Sequence, residues 1–145
     1  MNITDDFDLQ NFLPYLLNQA AEESSLAFQQ VYKDRYGMLR TEWRVLFHLG
    51  IYGRMTAKEI GRRSKMHKTK ISRAVAKLAE RRYLTRERDE DDRRLEYLEL
   101  TAAGARAYRD LRAVAVQYDS RLAERFSGEE IALLRRLLRA LAEIE

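Results

Sequence analysis

The chain has 145 residues, enough for one domain with a buried core. It has no cysteine and only two histidines, His48 and His67, in different segments, which excludes disulfides, thiol redox sensing and a zinc site of usual composition. The net charge is +4, but residues 53–94 carry 15 Lys or Arg against 7 Asp or Glu, a net +8, and the rest nets −4.

In chain order, a first helix is expected from Phe12 with Asn11 as its cap. Pro14 then falls in the first turn, where its missing N–H removes no intrahelical bond. Leu13, Leu16, Leu17, Ala20, Ala27, Phe28 and Val31 recur at helical spacing up to Tyr36, and Gly37 is the stop. Residues 1–10 are then an arm. Thr41 can cap a second helix carrying Trp43, Leu46, Phe47 and Leu49, closed by Gly53. Thr56 and Glu59 form a capping box for a short third helix ending near Arg63, with Met55 and Ile60 as its hydrophobic staple. A fourth helix spans residues 68–82, with Ile71, Val75 and Leu78 on one face.

The periodicity then changes. Residues 83–88 and 95–100 have strand composition, and the polar RDEDDR between them suits a hairpin tip. Thr101 can cap a fifth helix through about Glu124. Ser127 and Glu130 form a second capping box, stapled by Phe126 and Ile131, for a last helix running to the C-terminus. The order α-α-α-α-β-β-α-α describes a mostly α, α+β chain: a winged helix-turn-helix with flanking dimerisation helices. No domain boundary is marked by Pro, Gly or Ser. The whole chain is expected to be a single domain, with residues 38–101 binding DNA and residues 1–37 and 102–145 dimerising.

The fourth helix divides its residues as a recognition helix must. An apolar stripe fixes it to the scaffold, while Lys68, Thr69, Lys70, Ser72, Arg73 and Lys77 face outward. Arg or Lys can donate to guanine O6 and N7, and Ser or Thr can pair with bases or phosphates. The basic middle segment fits a polyanion partner; a solvated charged surface is the plainer reading. At the hairpin tip, Arg93 and Arg94 follow four carboxylates, which repel phosphate unless some are engaged. Asp92 can hold an arginine through planar bidentate pairing. An arginine so held can enter a narrow A·T minor groove; a charged, mobile turn is the alternative.

Three stretches resemble the MarR (multiple antibiotic resistance regulator) family of transcription factors. LRTEWRVLFHL is similar to its second helix, and TAKEIGRRSKMHKTKISRAVAKLAERRYLTR to its helix-turn-helix. DDRRLEYLELTAAG matches its wing pattern at Asp92, Arg94, Leu100, Thr101 and Gly104. The resemblance implies major-groove reading by Thr69, Lys70, Ser72 and Arg73, and a minor-groove role for Arg94 positioned by Asp92. It also implies a homodimer on pseudo-palindromic DNA, and repression relieved by a small aromatic or anionic effector. Three residues depart from the family pattern. Arg82 stands where a glycine is usual, Ser64 replaces an apolar residue, and His67 is a weak cap for the recognition helix.

The last helix carries Ile131, Leu134, Leu137, Leu138, Leu141 and Ile144, a stripe too broad for a lone surface helix. It fits a dimer interface, with Leu13, Leu134, Leu138 and Leu141 at its centre, or packing on the chain's own first helix. Tyr15, Trp43 and Phe47 are candidates to line an effector pocket, although large aromatics at helical spacing are more often core. No cofactor is expected, and dispersed histidines without a phosphate-cradling loop argue against an enzyme. The rival reading is a winged-helix protein-interaction module that binds no DNA. No apolar run approaches the roughly 20 residues that cross a bilayer. The acidic start, MNITDDFDLQ, lacks the order of a signal peptide, so no membrane association and a cytoplasmic location are expected.

Overall fold

The computed structural model describes residues 5–143. Its elements are α1 (Leu13–Tyr36), α2 (Arg40–Tyr52), β1 (Met55–Thr56), α3 (Ala57–Ser64), α4 (Lys68–Glu80), β2 (Leu84–Arg88), β3 (Glu96–Leu100), α5 (Ala102–Ala123) and α6 (Gly128–Leu141), after a 3-10 turn at Leu9–Asn11. The expected mostly helical winged helix-turn-helix is the fold observed, with one added strand.

Local chemistry explains where each boundary falls. Asn11 does not cap α1: its amide is turned back to the Asp8 carboxylate at 2.6 Å, and extended Phe12 precedes the helix without a side-chain cap. Thr41 lies inside α2 rather than capping it. The Leu39 N–H instead finds the carboxylate of Glu42 at 3.0 Å, so the helix begins a residue before Thr41. Both β-strands of the hairpin start one residue late, because the N–H groups of Tyr83 and Leu95 are already taken by the carbonyls of Leu78 and Asp92. The caps at Thr56, Thr101 and Ser127 form as expected, each oxygen accepting the N–H three residues on. Glu130 completes its box on the Ser127 N–H at 2.8 Å, whereas Glu59 accepts the Thr56 hydroxyl instead.

The sheet has order β1-β3-β2, all antiparallel. Thr56, Tyr97 and Glu87 form one cross-strand row. Met55 and Leu98 bring the sheet into the core, where Leu46, Leu49, Ile60, Ile71, Val75, Leu78, Leu84 and Leu111 are buried. The three inward residues expected on α4 are among them.

The arms are different. α6 buries none of its residues, and α1 buries only Phe28 and Tyr32. Leu134, Leu138 and Leu141 are 42%, 42% and 58% exposed, and Leu13 is 61% exposed. The last helix therefore does not bury its stripe on α1 of its own chain. α6 ends at Leu141, short of the C-terminus, and Ile144 lies outside the described residues, as do residues 1–4 of the arm. Among the described residues, no helix is long and apolar enough to cross a membrane.

Candidate nucleic-acid interface

α4 is set by three contacts. Its buried face packs on α3 closely enough that a methyl group at Gly61 would meet Ile71 Cδ1 at 2.9 Å. The α3–α4 turn passes through Lys65 in the left-handed region (φ 57) and is held by Ser64. Its hydroxyl donates to the Ile60 carbonyl at 2.7 Å and accepts the Met66 N–H at 3.3 Å. Ser64 thus does with hydrogen bonds what an apolar residue would do by packing. His67 caps α4 by accepting the Thr69 N–H on Nδ1 at 3.2 Å, which requires the neutral imidazole. Lys65 also donates through Nζ to the Ala142 carbonyl just past α6.

Beyond these supports, Lys68, Thr69, Lys70, Ser72, Arg73 and Lys77 are all exposed. Among the described residues no ion pair engages Lys68, Lys70, Arg73 or Lys77. The helix presents unneutralised cations beside hydroxyls on one face.

The far end of α4 is a Schellman turn: Arg82 N–H reaches the Ala79 carbonyl at 3.0 Å and Tyr83 N–H the Leu78 carbonyl at 2.9 Å. This closure requires a left-handed residue, and Arg82 occupies it at φ 64. Arg81 turns outward and donates from Nη1 to the carbonyls of Tyr36 and Gly37, at 2.8 and 2.7 Å. The end of α4 is thereby tied to the end of α1. In turn, Asp110 of α5 accepts from the Tyr36 hydroxyl at 2.6 Å and pairs with Arg35 at 2.9 Å. The Tyr36 bond and then the Arg35 guanidinium hold the Asp110 carboxyl below its ordinary range. Burial first, then Asp110, pushes the Tyr36 hydroxyl up to about 12.

The wing tip engages two of its four carboxylates. Asp89 accepts the N–H groups of Asp91 and Asp92 at 2.8 and 3.0 Å, building the turn. Asp92 takes Arg94 in a two-point grip, Nε to Oδ1 at 3.0 Å and Nη2 to Oδ2 at 3.2 Å. That guanidinium keeps the Asp92 carboxyl below its ordinary range, yet the Arg94 side chain stays 90% exposed. Arg93 points its carbonyl at Arg88 Nη1, 2.9 Å away, and its side chain is exposed.

A cavity of about 170 Å³ lies between α1, α2 and α5, walled by Phe28, Tyr32, Trp43 and Tyr118 with Arg40 and Arg44. Of the three expected pocket residues, Trp43 alone lines it. Phe47 is one turn further along α2 and packs edge-on against Trp43 and Tyr108, at 5.0 and 5.2 Å between ring centres. Tyr15 sits more than a turn before Ala21, the first α1 residue in the wall. The wall residues that local spacing does not mark are Phe28, Tyr32, Tyr118 and the two arginines. Tyr118 is separated from Trp43 by 75 positions, so no local spacing could pair them.

The MarR family model matches residues 36–95. No curated protein matches the chain. A MarR/EmrR family transcriptional regulator from Acinetobacter sp. ADP1 is similar in structure, with TM-score 0.84 and 25% identity over 94% of this chain and 96% of that one. A mutant Escherichia coli MarR complexed with operator DNA has TM-score 0.83 at 18% identity, covering 95% and 99%. Bordetella bronchiseptica BpsR, whose DNA binding is regulated by 6-hydroxynicotinic acid, has TM-score 0.86 at 19% identity, covering 97% and 100%. The last two likenesses bear on the fold.

Proposed function

We propose that this chain, whose residues 36–95 match the MarR family model, is a homodimeric, sequence-specific DNA-binding transcription regulator of that family. The observation that carries this reading is the free cationic and hydroxyl face of α4 beside a wing arginine already held for use. Thr69, Lys70, Ser72 and Arg73 read base edges, Lys68 and Lys77 contact phosphate, and Arg94, with Arg93 beside it, enters the minor groove. Asp92 positions Arg94. The division of labour places DNA binding in residues 38–101 and dimerisation in residues 1–37 and 102–145. The support for the latter is an α6 that buries nothing within its own chain. The protein works as a repressor in the cytoplasm, without enzymatic activity.

The effector of this reading is a small aromatic anion in the cavity beside Trp43. Aromatic walls suit a planar ring and two guanidiniums suit its carboxylate. A cavity of about 150 Å³ holds a benzene-sized molecule, so a single ring is the size expected. Among the described residues Arg40 pairs with Glu22 at 3.4 Å and lies against the Tyr32 hydroxyl, which places its charge at the cavity wall.

Selection of bound sequences from a random duplex pool tests the function. The expected result is a palindrome with half-sites about one helical turn apart, and log affinity falling with log salt by about 0.9 per neutralised phosphate. Failure to enrich any sequence, with no salt-dependent duplex binding, overturns the reading in favour of a protein-interaction module.

A further inference from the structure

The wing carries Arg94 at the end of a two-stranded arm whose root, at Leu84 and Leu98, is what reaches the core. β2 buries only Leu84, its innermost residue, and the next four are exposed. In β3 Leu98 is buried and β1 pairs only with Leu98 and Tyr97, so the root of the arm is anchored while its outer half depends on surface contacts for its direction. The structure supplies Arg54. Gly53, at φ 80 and ψ −156, turns the chain out of α2 in a backbone region open essentially to glycine alone. The turn delivers Arg54 two residues before Thr56, onto the row Thr56–Tyr97–Glu87 that crosses all three strands. Its guanidinium lies 4.3 Å from the Tyr97 ring centre and continues to the Glu87 carboxylate at 3.4 Å. One side chain thus spans from the end of α2 across β3 to the outer half of β2.

We propose that Arg54 is a positioning residue for DNA binding, a strut that fixes the pitch of the wing and so aims Arg94, without touching DNA itself. A cation over an aromatic face and an exposed ion pair are each modest, but they act beyond the buried Leu84 and Leu98, where β2 is exposed. Glu87 also gains a role, as the carboxylate on β2 that pairs with Arg54. This inference rests on the DNA-binding function proposed above.

The test uses the full-length dimer, a selected operator duplex, and the variants Arg54→Ala, Arg54→Lys, Arg94→Ala and the double alanine variant, with melting temperatures to confirm folding. Arg54→Ala should weaken binding about twofold to fivefold, the range of a lost exposed cation–π contact, leave the salt slope unchanged, and add nothing in the Arg94→Ala background. Arg54→Lys, which keeps a cation over Tyr97, should recover most of the loss. In the DNA-free protein, amide exchange across β2, β3 and the tip should quicken in Arg54→Ala while α4 stays protected. An additive loss with a salt slope lower by about 0.9 would make Arg54 a phosphate contact and overturn the proposal. Unchanged exchange in the wing would overturn it as well. If the parent protein binds no duplex, the function above fails, and the exchange experiment still decides whether Arg54 steadies the wing.

Discussion

Asp92 grips Arg94 through two parallel hydrogen bonds while leaving the arginine 90% exposed. Positioning and net charge therefore predict opposite effects of removing the carboxylate. Asp92→Ala makes the wing more positive, which by charge alone tightens DNA binding. Loss of the grip frees the guanidinium to wander, and we expect affinity for A·T-flanked operators to fall about fivefold to tenfold, as for one lost charge-assisted contact. Tighter binding in a fluorescence anisotropy titration would show that charge dominates.

Arg82 at φ 64 is strained where glycine is at ease. Arg82→Gly should stabilise the protein by about 0.5–1 kcal/mol, since relief of the left-handed strain exceeds the chain entropy glycine adds. Calorimetry should show the melting temperature rise by a few degrees. Arg82→Ala keeps the strain and serves as the control. An equal rise in both variants would trace the effect to lost charge.

Gly104 sits where the root of the wing crosses the start of α5. A Cβ there would lie 2.0 Å from the Tyr83 carbonyl oxygen, a backbone atom that cannot step aside, whereas one at Gly128 meets nothing within 4 Å. Gly104→Ala is expected to destabilise by about 3 kcal/mol or more. Gly128→Ala, at the exposed start of α6, should stabilise by about 0.5 kcal/mol. Denaturant midpoints of the two variants check the contrast.

The dimer assignment predicts that Leu138→Glu yields a folded monomer. Leu138 is 42% exposed on a helix that buries nothing, so the change removes no core contact. Sedimentation should report half the mass and circular dichroism an intact helical fold. A dimer of parental affinity would place the interface elsewhere.

The tie between α1 and α5 has a pH signature. Asp110 is held below its ordinary range by Tyr36 and Arg35. A carboxylate so depressed contributes fully above its unfolded pKa, about 3.9, and the contribution is lost as pH falls through the lower folded value. The stability difference between the parent and Asp110→Asn should be constant from pH 8 to about 5 and shrink below pH 4. A difference that changes between pH 6 and 8 would point to another titrating group.

The sequence shows what is encoded within a turn or two of chain. Thr56, Thr101 and Ser127 could be recognised as caps because an acceptor and its N–H lie three residues apart, and Asp92 and Arg94 because two positions separate them. β1 was not visible: two residues have no periodicity, and Met55–Thr56 is a strand only because β3 returns beside it. The start of α2 escapes a local reading because leucine offers no cap, and Glu42 performs that task from inside the helix. The aromatic cavity and the span of Arg54 across the sheet depend on chain segments tens of residues apart, which no local pattern records.

Arg81 fastens the end of α4 to the end of α1. In a dimer built on the arms, neither head can then swing alone, and the gap between heads becomes a ruler cut by the arm helices. Such a ruler measures phase as well as length. One base pair inserted between half-sites rotates one of them by about 35° around the duplex, a mismatch the protein can meet only by bending the DNA or letting go of a half-site.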